Sequence, residues 1–146
     1  MPAGDLVIAD NQLELRTVLS GFGTSFPIAF ENLSGLGVPE AKTSDIEFGH
    51  APGAYLGRDY SEVRIITVPY VLRGTPLSVG ANFRTLCVMW AVSETNLPLH
   101  ARLPGLGKFT VTGRPRGLVD DLTQLNIGVV RALATFVCGD PTITFL

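Results

Sequence analysis

The sequence predicts an α+β fold: an antiparallel β-sandwich or open barrel with one main α-helix packed against it. Three observations carry that expectation. Apolar residues alternate with a period of two over most of the chain, and a single passage between Pro76 and Glu94 switches to helical spacing. No strand–helix–strand alternation occurs, which removes the usual platform for nucleotide sites. At 146 residues the chain has the size of one ordinary domain.

The elements follow in order. Leu6-Val7-Ile8-Ala9 and Gln12-Leu13-Glu14-Leu15 flank an Asp10-Asn11 pair, the pattern of a short hairpin. Its second arm places Leu13 and Leu15 on one face and Glu14 and Arg16 on the other. Ile28 to Leu33 reads as a further strand, closed by Ser34-Gly35-Leu36-Gly37. A long glycine-containing loop spans Gly49 to Tyr60, and loops of that length inside compact domains usually make contacts. The strongest strand is Val63 to Leu72. Val63, Ile65 and Val71 point one way, and Ile66, Val68, Tyr70 and Leu72 the other, so both faces should be covered. Pro69 cannot donate to a ladder, which places this strand at an edge or bulge near its centre.

Thr75-Pro76 is a helix-start signal. Val79, Phe83, Leu86 and Trp90 then form one stripe, widened by Cys87, Met89 and Ala91, and the helix should end near Glu94. Leu99, Ala101 and Leu103 alternate, a Pro104–Gly107 turn follows, and Lys108 to Arg114 makes the returning arm of a hairpin. Ile127 to Cys138 is a long apolar strand, turned by Gly139-Asp140-Pro141 into the last residues.

Composition narrows the function classes. Charged residues are 16% of the chain against about 25% in an ordinary soluble domain. Hydrophobic residues reach 46% and mean hydropathy is +0.32. The longest charge-free stretch, Thr17 to Phe30, is broken by Gly21, Gly23 and Pro27, so no spanning helix and no membrane insertion is expected. Met1 to Asp5 has neither the basic nor the apolar region of a secretion signal. Burial between subunits is the better account of so few charges. A net charge of −2 with lysine only at positions 42 and 108 argues against specific nucleic-acid binding. Cys87 and Cys138 are expected to be buried free thiols, consistent with synthesis in a reducing cytoplasm.

Catalytic and metal chemistry is not supported. Only His50, His100 and the two cysteines offer soft ligands, far apart in sequence, so no metal and no cofactor is expected. Gly105-Leu106-Gly107-Lys108 lacks the first glycine and the Ser or Thr of a phosphate loop and reads as a hairpin turn. Asp120-Asp121 reads as a solvated loop pair. The expectation is a protein that assembles and is not an enzyme.

Three segments in order resemble the N-terminal, ring-forming domain of siphophage distal tail proteins, often called minor tail proteins. They are Gly53-Ala54-Tyr55-Leu56-Gly57-Arg58-Asp59-Tyr60 with the following Arg64-Ile65-Ile66-Thr67-Val68, the helix from Pro76 to Glu94, and Gly113-Arg114-Pro115-Arg116 leading to Cys138-Gly139-Asp140-Pro141. The resemblance covers the chain from about residue 28 onward and implies a fold related to phage tail-tube proteins. It further implies a homohexameric ring in the virion, at the tail tip or baseplate, joining the tail-tube protein to the tail-tip hub protein. The tape-measure protein and later DNA, as passing cargo, would go through its channel. Residues 1–146 are expected to be that one domain, without the C-terminal domain usual in the family. Inter-subunit contacts are assigned to the loop residues Gly53, Tyr55, Gly57, Arg58, Asp59 and Tyr60. Two other readings compete: a tail-tube or tail-terminator subunit, and, from a different class, a small-ligand or carbohydrate-binding β-barrel lined by Phe83, Trp90 and Phe109. If the loop bridges subunits, Arg58→Ala impairs ring assembly; rings of normal yield and size, counted by electron microscopy, would remove the loop from the interface.

Overall fold

A computed structural model describes residues 8–23, 25–37, 41–42, 46–47, 54–55, 60–61, 63–140 and 142–145, with backbone pairing alone for the four short pieces between 41 and 61. The strands are β1 (Gln12–Leu15), β2 (Val18–Phe22), β3 (Ala29–Phe30), β4 (Ala41–Lys42), β5 (Ile46–Glu47), β6 (Ala54–Tyr55), β7 (Tyr60–Ser61) and β8 (Arg64–Arg73). Helix α1 (Pro76–Met89) follows, then β9 (Leu97–Leu103), β10 (Gly107–Asp121), a 3-10 turn (Leu125–Ile127), β11 (Val129–Cys138) and β12 (Thr144–Phe145).

Sequence alone leaves the choice between a sandwich and an open barrel; the strand pairing makes a closed one. The order runs β11-β8-β3-β2-β1-β9-β10, β12 adds to β10, and a further ladder joins β10 back to β11. Closure depends on the length of β10. Its residues Gly107 to Gly113 pair with β9, and Arg114 to Asp121 pair with β11. The register shifts between Pro115 and Gly117, a bulge that bends the strand from one side of the barrel to the other. At the corner a Cβ on Gly113 would stand 2.3 Å from the Val137 carbonyl oxygen, so only glycine lets the two strands meet. The arm read from sequence as ending at Arg114 therefore continues to Asp121, and Asp120-Asp121 lie in a strand, not a loop.

Two other pairings depart from expectation. The N-terminal hairpin joins β1 to β2 through Arg16 and Thr17, both with positive φ (54° and 63°), and β1 also pairs with β9. The Asp10-Asn11 hairpin has its first arm partly in residues outside those described. Arg16-Thr17 lacks the Asn-Gly or Asp-Gly signature of a two-residue turn, which is why the pattern hid it. One pair, β2 with β3, is parallel within an otherwise antiparallel sheet.

β8 carries the two-faced pattern read from its sequence. Ile66, Val68, Tyr70 and Leu72 are buried in the barrel, while Val63 and Ile65 are half exposed. Pro69 accepts the Glu31 amide at 2.9 Å on the side where β3 supplies only a two-residue strand, and the unbroken ladder to β11 runs along the other side. The missing donor thus faces the thinly paired flank, a substitute for a true edge.

Helix α1 starts as its sequence dictates: Thr75 Oγ1 accepts the Ser78 amide at 3.2 Å and Pro76 opens the first turn. It stops at Met89, earlier than the expected Glu94, because Trp90 leaves helical geometry to enter the core. There its indole Nε1 donates to the Thr135 carbonyl at 2.8 Å, on β11 opposite the β10 bulge. The indole meets Tyr70 and Phe136 edge-on at 6.1 and 6.4 Å. Val79, Leu86 and Met89 complete the contact with the barrel interior, while Cys87 and Ala91, expected in the stripe, are exposed.

At the far end of the barrel the chain leaving β8 touches the chain entering β11. Gly74 N donates to the Gly128 carbonyl at 3.0 Å, and a Cβ on Gly128 would fall 1.7 Å from the Gly74 carbonyl oxygen. Gly128 and Gly105 share a φ of +79°, yet Gly105 has open space around it. Gly105→Ala is expected to cost about 1 kcal/mol, the left-handed backbone penalty alone. Gly128→Ala should cost roughly 3 kcal/mol or more because the clash is added. Urea unfolding of both variants measures the difference.

Candidate assembly surface

In an antiparallel ladder each cross-strand row sets one side chain per strand on the same face. The outward rows over β10, β11 and β8 are Gly117-Thr135-Thr67, Val119-Leu133-Pro69 and Asp121-Arg131-Val71, with Val137 and Ile65 beyond. Most of these side chains are apolar, and no other described strand or helix packs over them. Val119 is 71% exposed, Ile65 51% and Leu133 44%, so this face carries a group of neighbouring apolar side chains open to solvent. A shallow groove of about 290 Å³ crosses this face, with Pro69, Val71, Val119 and Leu133 on its floor and Glu31, Asp120, Asp121 and Arg131 around it.

The charges of the groove are organised. Arg131 lies 3.7 Å from Glu31 and directly across the ladder from Asp121. Asp121 also accepts from the Thr123 hydroxyl at 2.7 Å and the Thr123 amide at 3.0 Å. Those hydrogen bonds, with Arg131 assisting, hold its carboxyl below the ordinary aspartate value.

Helix α1 supplies a second apolar surface. Leu77 (87% exposed) and Val88 (65%) stand in one row with Ala81 and Arg84, at spacings of 4, 3 and 4, and Val92 extends the patch. Arg84 is the sole charged residue of the helix and has no hydrogen bond or ion pair among the described residues. The flank of the barrel formed by β1, β9 and the first half of β10 is polar by contrast. Glu14, His100 and Thr110 make one outward row and Gln12, Arg102 and Lys108 the next, with His100 Nδ1 and Thr110 Oγ1 2.8 Å apart. Glu14 is nearly sealed from solvent, a departure from the exposed face its alternation predicts. Arg16 bends away to donate to the Val88 carbonyl at the helix C-terminus, at 2.9 Å, where the helix dipole favours a cation.

Of the loop residues assigned to inter-subunit contact, Gly53, Gly57, Arg58 and Asp59 lie outside the described residues. Tyr55 pairs with Ile46 and Tyr60 with Lys42 in two small ladders, with side chains outside the description. The outward rows of β8, β10 and β11 were not nominated by sequence reasoning. Their signal was present in Val63 to Leu72, whose apolar character on both faces called for a cover that the described residues do not provide.

No family model matches the chain, and no curated protein matches it in sequence. Among solved structures it is similar to the Dit protein (gp 19.1) of phage SPP1, described as a paradigm of the hub adsorption apparatus in phages that infect Gram-positive bacteria. The TM-score is 0.67 at 14% identity, over 89% of this chain and 50% of that one. The two share a fold. The chain spans half the length of SPP1 Dit.

Among the described residues no group of three or more His, Cys, Asp or Glu is placed to hold a metal, and no helix is long and apolar enough to cross a membrane. The thiols differ from the expected buried pair: Cys138 is buried and Cys87 is exposed. Burial pushes the Cys138 thiol up to about 11, Arg64 pulling it down and Asp140 adding to the rise. Cys87 is raised as well, by its partial desolvation and then by Asp120. In dispersed protein at neutral pH, one thiol should react rapidly with a disulfide reagent and the second only after unfolding. The stability gained by keeping Cys138 neutral is complete below pH 9 and declines as pH rises toward 11. Absorbance during labelling, with and without denaturant, checks the first statement, and urea midpoints from pH 8 to 11 the second.

Proposed function

We propose that the chain is a structural subunit of a phage tail, acting by assembly and not by catalysis. In this reading its copies form a hexameric ring at the distal end of the tail of a long-tailed phage. The ring joins the tail tube to the tail-tip hub, and the tape-measure protein and DNA pass through its channel. The observation that carries the reading is the fold shared with SPP1 Dit over 89% of the chain. The exposed apolar rows of β8, β10 and β11 and the apolar flank of α1 support it physically. A protein with 16% charged residues that leaves such surfaces open has something to cover them. A ring hides them in a closed, symmetric set of contacts.

The same fold suits a tail-tube or terminator subunit, and copy number separates the cases, because a tube protein recurs through many stacked rings while an adaptor is present in one. The ligand-binding barrel has less support: Trp90 and Phe109 belong to one continuous packed core with Tyr70 and Phe136. Electron microscopy of native particles, together with the mass of the purified protein, tests the proposal. A single ring at the tail tip is the expected result. A strictly monomeric protein absent from tail particles overturns it.

A further inference from the structure

Cyclic rings are built from head-to-tail contacts, in which two different patches of the same chain meet around the circle. The outward rows of β8, β10 and β11 and the outward flank of α1 have the properties of such a pair. They face opposite ways. Val79, Leu86, Met89 and Trp90 hold the helix against the inner side of β8 and β11, whereas Ile65, Val119 and Leu133 lie on the outer side of that layer. One copy therefore cannot bring its own two patches together.

Charge decides which combination is favoured. Two carboxylates, Glu31 and Asp121, stand on the outward face of the groove against one guanidinium, Arg131, with Arg73 standing outside it beside Glu31, while Asp120 belongs to the inward row with Ala132 and Tyr70. The helix row Leu77-Ala81-Arg84-Val88 carries one cation. Helix against helix would oppose two Arg84 side chains, and groove against groove would oppose two acidic rims. Helix against groove sets Arg84 among carboxylates and the apolar members of the row on Pro69, Val119 and Leu133. An amphipathic helix seated in an apolar groove is a recurrent mode of recognition, and a charge mismatch in the alternatives gives the pairing its direction.

We propose that the outward flank of α1 in one copy docks into the β8–β11–β10 groove of a second copy, and that this contact repeats around the assembly. The contact rests on the ring reading for its closure but not for its existence, since the same pairing without closure would give open chains.

Cys87, exposed and next to the docking row, makes the contact testable by cross-linking. Leu133→Cys puts a thiol on the groove floor. Under mild oxidation Cys87 of one copy should join the introduced cysteine of the next, giving a ladder of linked species on non-reducing gels. Leu106→Cys, in the turn between β9 and β10, should give no ladder. Charge exchange is the second arm. Arg84→Glu and Asp121→Lys, both at exposed positions, should each raise the concentration needed for assembly by roughly tenfold or more. The double variant should recover most of that loss, and circular dichroism of each should match the parent. A ladder that ends in closed rings supports both the contact and the ring; a ladder of open chains keeps the contact and removes the ring. Rings that form equally well in both single variants, without the Cys87 cross-link, overturn the contact and leave the ring reading standing. A protein that stays monomeric at every concentration overturns both.

Discussion

Everything in this fold depends on the bend of β10 between Gly113 and Gly117. A strand of ordinary length would serve one sheet, but β10 serves β9 with its first half and β11 with its second. The bend demands three local concessions. Gly113 has no Cβ where the Val137 carbonyl approaches, Pro115 gives up a donor, and the register slips by one residue before Gly117. Each would weaken a straight strand; together they close a barrel. Trp90 answers the disturbance, since its indole N–H satisfies the Thr135 carbonyl opposite the bulge. The helix is therefore tied to the corner by a hydrogen bond as well as by its apolar stripe, and its early termination at Met89 follows from that tie.

Local patterns were legible where they reflect burial inside one chain. The alternation in β8, the Thr75-Pro76 start and the hairpin arm with Leu99, Ala101 and Leu103 were all readable, because one face or stripe must avoid water. Less visible were features set by a partner distant in sequence. Closure of β10 onto β11 cannot be read from either strand alone. Nor can the burial of Glu14, whose alternation marks it as exposed. The turn at Arg16-Thr17 was hidden because neither residue is a usual occupant of left-handed backbone.

The proposed assembly surface was legible only by subtraction. Val63 to Leu72 has more apolar residues than one buried face can use. Sequence supports the inference that something covers the second face, and the structure identifies that face as the outward rows shared with β10 and β11. The loop chosen from family resemblance and the sheet face found from geometry thus answer the same question by different routes. The second rests on burial and charge that can be measured.

The contact between Gly74 and Gly128 has a mechanical consequence. It fastens the junction of β8 and α1 to the tip where β10 turns into β11, through one hydrogen bond and a backbone approach too close for any other residue. The exposed tip residues Leu122 and Ile127 are thereby levered to the first turn of the helix. A load on that tip therefore bears on the glycine contact and, through it, on the first turn of α1.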